Sequence, residues 1–161
     1  MRIVNLVLII LGVLIIASLF YQNVFKVEEK RTINLYYYNP SLDEDETGNI
    51  MCSEKGIVEV KREVEKTMTP IQDSIKLLLK GELTEEEKAL GITTEYPLEG
   101  FSLKGALLKD GDLTLEFDDL NDKTIGGSCR TAILWFQIRN IAMQFSEVKT
   151  VKFIPEELFQ P

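Results

Sequence analysis

Histidine is absent from this sequence. That absence removes the usual general base and the commonest zinc ligand, and a Cys-His nucleophile cannot be assembled without it. Cations are scarce too: 18 Lys and Arg stand against 26 Asp and Glu, a net charge of −8. Nucleic acid and an anionic membrane surface are therefore not expected partners. No stretch matches a Walker A loop or a dinucleotide fingerprint. There is no low-complexity segment, and no internal repeat beyond a weak helix-then-strand echo. With neither a nucleophile–base pair nor a metal cage in view, the chain is expected to be no enzyme and to need no cofactor.

What the sequence does have is one long run without charge, "IVNLVLIILGVLIIASLFY", Ile3 to Tyr21. At about 1.5 Å per residue it would extend roughly 28 Å as a helix, enough to cross a bilayer. A buried core helix would show a polar face, and this run has none. No A-x-A cleavage site follows (Ala17 with Ile15 before it is a poor substitute), and no Cys ends the run for lipid attachment. The expected organisation is a transmembrane anchor over 1–22, a tether over 23–31, a domain over 32–155 and a tail over 156–161. Arg2 precedes the span while Lys26, Lys30 and Arg31 follow it, so counted charge alone does not favour export. The very short N-terminal segment and two well-separated cysteines fit an exported domain. The reading adopted is a single-pass protein of the cell membrane with its domain on the extracytoplasmic side.

The remaining acidic part of about 130 residues fits one domain. "TINLYYYN" gathers β-branched and aromatic residues into a strand ending at Asn39-Pro40. "GIVEVKREVEKT" alternates through Val58, Val60 and Val64, with a register break expected near Arg62. Thr69-Pro70 opens a helix carrying Ile71, Ile75, Leu78 and Leu79 on one face, and Gly81 stops it. Thr84 and Glu87 make a capping box for a second helix ending near Gly91. Two alternating runs flank Asp110-Gly111, a hairpin signal, with Leu113, Leu115 and Phe117 sharing a face. Cys129 to Phe145 is helical, with Leu134, Ile138, Ile141 and Phe145 in one stripe, and "EVKTVKFI" closes as a strand. The order β-β-α-α-β-β-α-β predicts an α+β fold: a mixed sheet with two main helices packed on one face.

Several constellations could carry function. In "DEDETGNIMCSE", Asp43 to Glu54, the acids and Gly48 fall nearly at EF-hand positions. Asp43, Asp45, Thr47, Asn49 and Glu54 are candidate calcium ligands, although strand-like flanks argue against a helix–loop–helix; the alternative is a polar connector. Cys52 and Cys129 would form a disulfide in an oxidising compartment. The alternatives are two unpaired small residues, or a reactive thiol at Cys129, beside a helix start and Arg130. Tyr36, Tyr37 and Tyr38 could line a sugar- or peptide-binding surface, or split between core and surface. Gly126, Gly127 and Ser128 could hold an anion at a helix start, or form a tight turn with Ser128 as N-cap. Glu116, Asp118 and Asp119 end a strand and are expected to be solvated, with Glu116 and Asp118 opposite Phe117.

One segment carries a resemblance. "TPIQDSIKLLLKGELTEEEKALGITTEYPLEG", followed by the hairpin "LKDGDLTLEF" and the helix–strand "AILWFQIRNIAMQFSEVKTVKFI", resembles the sporulation and spore germination domain called GerMN. The resemblance spans roughly Ile33 to Ile154. It implies an extracytoplasmic α+β module, usually membrane-anchored, without known catalytic residues, serving envelope-associated assemblies. Its plan is similar to ring-building motifs of secretion-like complexes. This chain differs in having a transmembrane run in place of a lipid-modified Cys, and in its two cysteines and acidic loop. The expected role is non-enzymatic, an assembly or envelope-binding module contacting an envelope protein or further copies of itself. The alternative is a module binding cell-wall glycan or peptide through the tyrosine-rich strand.

Overall fold

The structure, a computed structural model, describes residues 11–18 and 29–160. It divides into two units, 1–30 and 31–161. In the first, residues 11–18 are helical, and Leu11, Val13, Leu14, Ile15 and Ile16 are exposed. Among the described residues no helix is long and apolar enough to cross a membrane. The rest of the expected span, and the tether as far as residue 28, lie outside the described residues.

In the second unit the elements follow the order expected from the sequence. They are β1 (Lys30–Tyr38), β2 (Ile57–Glu65), α1 (Pro70–Leu79), α2 (Glu85–Ala89), β3 (Phe101–Lys109), β4 (Asp112–Asp119), α3 (Ser128–Met143) and β5 (Thr150–Ile154). The strands do not form one sheet. β1 and β2 make a two-stranded sheet, and β3, β4 and β5 a three-stranded one in that order. The second is mixed: β3 runs antiparallel to β4, and β5 parallel to it. The two helices are correspondingly not confined to one face of a single sheet. α3 packs on α1 and also touches both β2 and β5. This dual contact explains its broad buried surface, which takes in Thr131, Leu134, Gln137, Ile138, Ile141 and Ala142.

Local chemistry accounts for most boundaries. Asp110 and Gly111 both have positive φ, 56° and 98°, and join Lys109 to its cross-strand partner Asp112. A two-residue turn with both φ values positive matches the right-handed strand twist, which is why Asp-Gly suits it. The β3–β4 register shifts between Leu103 and Gly105, a bulge at Lys104. In β4, Leu113, Leu115 and Phe117 enter the core while the intervening side chains point away. The Thr84–Glu87 capping box forms in full.

Three local expectations change. α3 takes Gly127 as N-cap, and Ser128 is its first residue. β2 shows no register break. Val58, Val60, Arg62 and Val64 are all more enclosed than the exposed Glu59, Lys61, Glu63 and Glu65. Arg62 belongs in that row because its guanidinium reaches Glu87 of α2, at 2.6 and 2.7 Å. The same Glu87 carboxylate closes the capping box on the Thr84 N–H, so one side chain joins the helix start to the sheet. The Arg62 contact holds the Glu87 carboxyl below its ordinary range, against the opposing effect of burial. Third, the C-terminal segment is no loose tail. Leu158 and Phe159 are buried, and the Phe159 ring stands edge-on to Phe153 (5.3 Å) and Phe101 (5.8 Å).

Candidate functional site

The acidic loop is built around two carboxylates with different jobs. Asp43 is 1% exposed. Its Oδ2 accepts from the Tyr38 hydroxyl (2.8 Å) and the Ser53 N–H (2.6 Å), and its Oδ1 accepts from the Ser53 hydroxyl. Burial alone would raise the Asp43 carboxyl; the hydrogen bonds from Ser53 and Tyr38 outweigh it and leave it below the ordinary value. Burial, then the adjacent Asp43, push the Tyr38 phenol up to about 12. Asp45 folds the loop on itself. Its Oδ1 accepts from the backbone N–H groups of Thr47 (2.8 Å) and Asn49 (2.9 Å) and from the Thr47 hydroxyl (2.7 Å). Its Oδ2 accepts from the Asn49 amide at 3.0 Å. These donors, the Asn49 backbone first, hold the Asp45 carboxyl well below the usual range.

In this geometry the candidate calcium ligands have protein partners. Asp43 turns inward, the Asp45 oxygens are taken up by protein donors, and Glu54 points to Arg139 on α3 (3.4 Å). Thr47 and Asn49 serve the Asp45 network instead of a central ion. Among the described residues no three His, Cys, Asp or Glu groups are placed to hold a metal. The EF-hand-like spacing reflects a turn in which Asp45 caps its own backbone and Gly48, at φ 85°, makes the left-handed step.

Cys52 and Cys129 form a disulfide with Cα atoms 5.0 Å apart across 77 residues of sequence. It joins the end of the acidic loop to the first turn of α3. The tyrosines do split between core and surface, but unevenly. Tyr37 is fully buried and donates to the Glu82 carbonyl at 3.3 Å; burial pushes its phenol up to about 12. Tyr38 is also buried, leaving Tyr36 alone half-exposed, so the three do not make a binding face. Strand alternation sends Tyr37 inward with Leu35, and the chain bends into the Asp43 loop straight after Tyr38. Glu116 and Asp118 lie on the outer face of β4 against Lys104, at 3.0 and 3.6 Å. Asp119 instead caps the following turn, accepting from Lys123 and Thr124.

A groove that sequence reasoning missed lies between α3 and β5. Its walls are Ser128, Thr131, Ala132 and Trp135 from the helix and Val151, Lys152 and Phe153 from the strand. Glu156, Leu158, Phe159 and Gln160 line it as well, and it encloses about 640 Å³. The helix wall follows i, i+3, i+4, i+7 spacing, one face of α3 that meets its buried surface at Thr131. Among the described residues β5 stands at the end of its sheet, with β4 on one side only.

The family model for Germane, sporulation and spore germination, matches residues 34–156. Two solved structures are similar in fold. One holds the tandem GerMN domains of the sporulation protein GerM from Bacillus subtilis, at 21% identity and TM-score 0.53, covering 80% of this chain. The chain spans only 39% of that longer one. The other is the first GerMN domain of the same protein, at 15% identity and TM-score 0.52, covering 76% of this chain and 80% of its own. No match was found among curated proteins. The elements from β1 to β5 thus have the GerMN arrangement, and the chain belongs to the Germane family of sporulation and spore germination domains.

Proposed function

We propose that the chain is a non-enzymatic assembly module, held at the cell membrane by its N-terminal apolar run with the folded domain outside. In this reading it joins an envelope assembly by adding a strand of a partner protein to the free edge of β5. The observation that carries it is the coincidence of that edge with the groove along α3. An edge strand offers unpaired backbone donors and acceptors in register, and pockets beside it select alternate side chains. Trp135 and Phe153 supply the aromatic surface on which binding energy concentrates. The glycan alternative has less support, because Tyr37 and Tyr38 belong to the core.

Two measurements on the full chain test this proposal. Protease added to intact cells should digest the domain, and a protected domain would contradict the extracytoplasmic placement. Sedimentation of the detergent-extracted chain should show a complex larger than the monomer. Trp135→Ala should weaken that complex by about tenfold or more, the usual scale for a central aromatic contact. A monomer in native extracts, or a complex indifferent to Trp135, would contradict the assembly role.

A further inference from the structure

A small cavity lies on the other side of α3 from the groove. Its wall is made by Ile133 and Gln137 of the helix, by Thr93, Thr94 and Glu95 ahead of β3, and by Tyr38 at the end of β1. It encloses about 110 Å³. At 3.6 residues per turn, Gln137 stands roughly 140° around the helix from Ala132, so the two hollows do not share a face. Thr93 and Glu95 are exposed, which opens the cavity to the surface on that side. Most polar groups of the wall are already engaged. The Tyr38 carbonyl accepts from the Thr93 N–H (2.7 Å) and hydroxyl (3.1 Å), and the Tyr38 phenol donates to Asp43. The Thr94 hydroxyl accepts from the Tyr96 N–H at 3.1 Å, and Glu95 pairs with Arg130. Gln137 is the exception. It is 1% exposed, and neither its Nε2 nor its Oε1 has a hydrogen-bond partner in the protein. A buried donor and acceptor left unmet cost stability, so such a pair marks a place where something else supplies the partner.

We propose that this cavity binds a primary carboxamide, which pairs edge to edge with the Gln137 amide. The chemistry follows from the two unmet atoms. Oε1 needs a donor and Nε2 an acceptor, side by side on one planar group. A second carboxamide presents the matching donor and acceptor on one edge, so two hydrogen bonds close a ring. A peptide main chain does not, because its trans bond sends N–H and C=O to opposite sides. Charged ends fit poorly: a carboxylate has no donor for Oε1, and an ammonium has no acceptor for Nε2. Neither finds an open counter-charge at the mouth, where Glu95 and Arg130 hold each other. The size agrees. A water's share of the liquid is about 30 Å³, so the cavity takes about four such groups, the heavy-atom count of acetamide. Ile133 offers an apolar wall to the carbon next to the amide. The carboxamide can belong to a free small amide or to an Asn or Gln side chain of a partner. The site does not depend on the assembly role or on the side of the membrane.

The test follows the Gln137 side-chain amide by NMR in the full chain, isotopically labelled and held in detergent. Acetamide should shift this resonance saturably in the millimolar range, the scale open to a ligand of about four heavy atoms. Acetate, equal in size but charged, should not. Gln137→Met keeps the length, removes both polar atoms and assigns the resonance by its loss. It should still fold, because an apolar chain replaces an unmet amide. Read at the Thr94 N–H, acetamide binding should be weaker in this variant by about tenfold or more. N-acetylglutamine N-methylamide separates the two sources. Saturable shifts from it assign the cavity to a side chain of a partner; shifts from acetamide alone assign it to a free small amide. No saturable shift from either probe, an equal shift from acetate, or undiminished binding in Gln137→Met would overturn the proposal; the first of these would leave a cavity for water only.

Discussion

Replacing Cys52 and Cys129 together by serine is expected to lower the unfolding free energy by up to about 4 kcal/mol. The bond closes 77 residues of chain, and holding so long a loop removes much of the entropy of the unfolded chain. Neither cysteine packs in the hydrophobic core, so the double substitution opens no apolar cavity there, and the loss reports the cross-link itself. Urea unfolding of the two proteins, under conditions that keep the parent oxidised, measures the difference. The double variant should still fold, since the core takes residues from β1, β2, β3, β4 and both long helices, with Val151 and Phe153 of β5 packed against it. A loss below about 1 kcal/mol would mean that the acidic loop and the start of α3 are held together by other contacts, far short of the entropic expectation.

The second large effect belongs to Asp43. Asp43→Ala leaves the buried Tyr38 hydroxyl and the Ser53 N–H without their acceptor, and is expected to cost about 3 kcal/mol. The stability of the parent should also depend on acid in a defined direction. The folded carboxyl titrates below its ordinary value of 3.8. Its contribution is therefore present in full above that value and is lost as pH falls through the lower, folded one. Asp43→Asn keeps the shape but not the charge, so its stability should decline less steeply below about pH 4 than that of the parent. Urea midpoints at neutral pH and at successive acid steps check both statements. A cost under about 1 kcal/mol, or identical acid profiles, would contradict a structural role for this carboxylate.

Local signals in the sequence proved dependable where one residue type answers one geometric demand. Asp110-Gly111 had to make the hairpin because both positions need positive φ. The Thr84–Glu87 box and Pro70 marked helix starts for equally local reasons. Arg62 misled because a charge in an apolar row looks like a shift of register. Only the fold brings Glu87, 25 residues away, within reach of it. The division into two sheets was hidden for a similar reason. Alternation tells which face of a strand is buried but not what covers it, and here α3 touches both sheets.

The candidate sites divide the same way. The Cys52–Cys129 pair was legible from the count of two cysteines together with the expectation of an oxidising compartment. The acidic loop was legible as spacing, but not the partners its side chains take. Whether Asp43 faces a central ion or the Tyr38 hydroxyl depends on a turn that spacing does not encode. The groove along β5 was not legible at all. Its helix wall is an ordinary helix face, and its value comes from lying beside a strand that has one neighbour among the described residues.

Site-specific photocrosslinking tests strand addition at β5 most directly. A benzophenone amino acid at Ala132, inside the groove, would be compared in native membranes with one at Thr114, on the opposite face of the three-stranded sheet. The account predicts a discrete protein adduct from position 132, mapped by mass spectrometry to an extended segment of the partner. That adduct should be lost with Trp135→Ala and absent from position 114. Equal labelling at both positions, or no adduct at 132 from membranes in which the chain migrates as a complex, would contradict it.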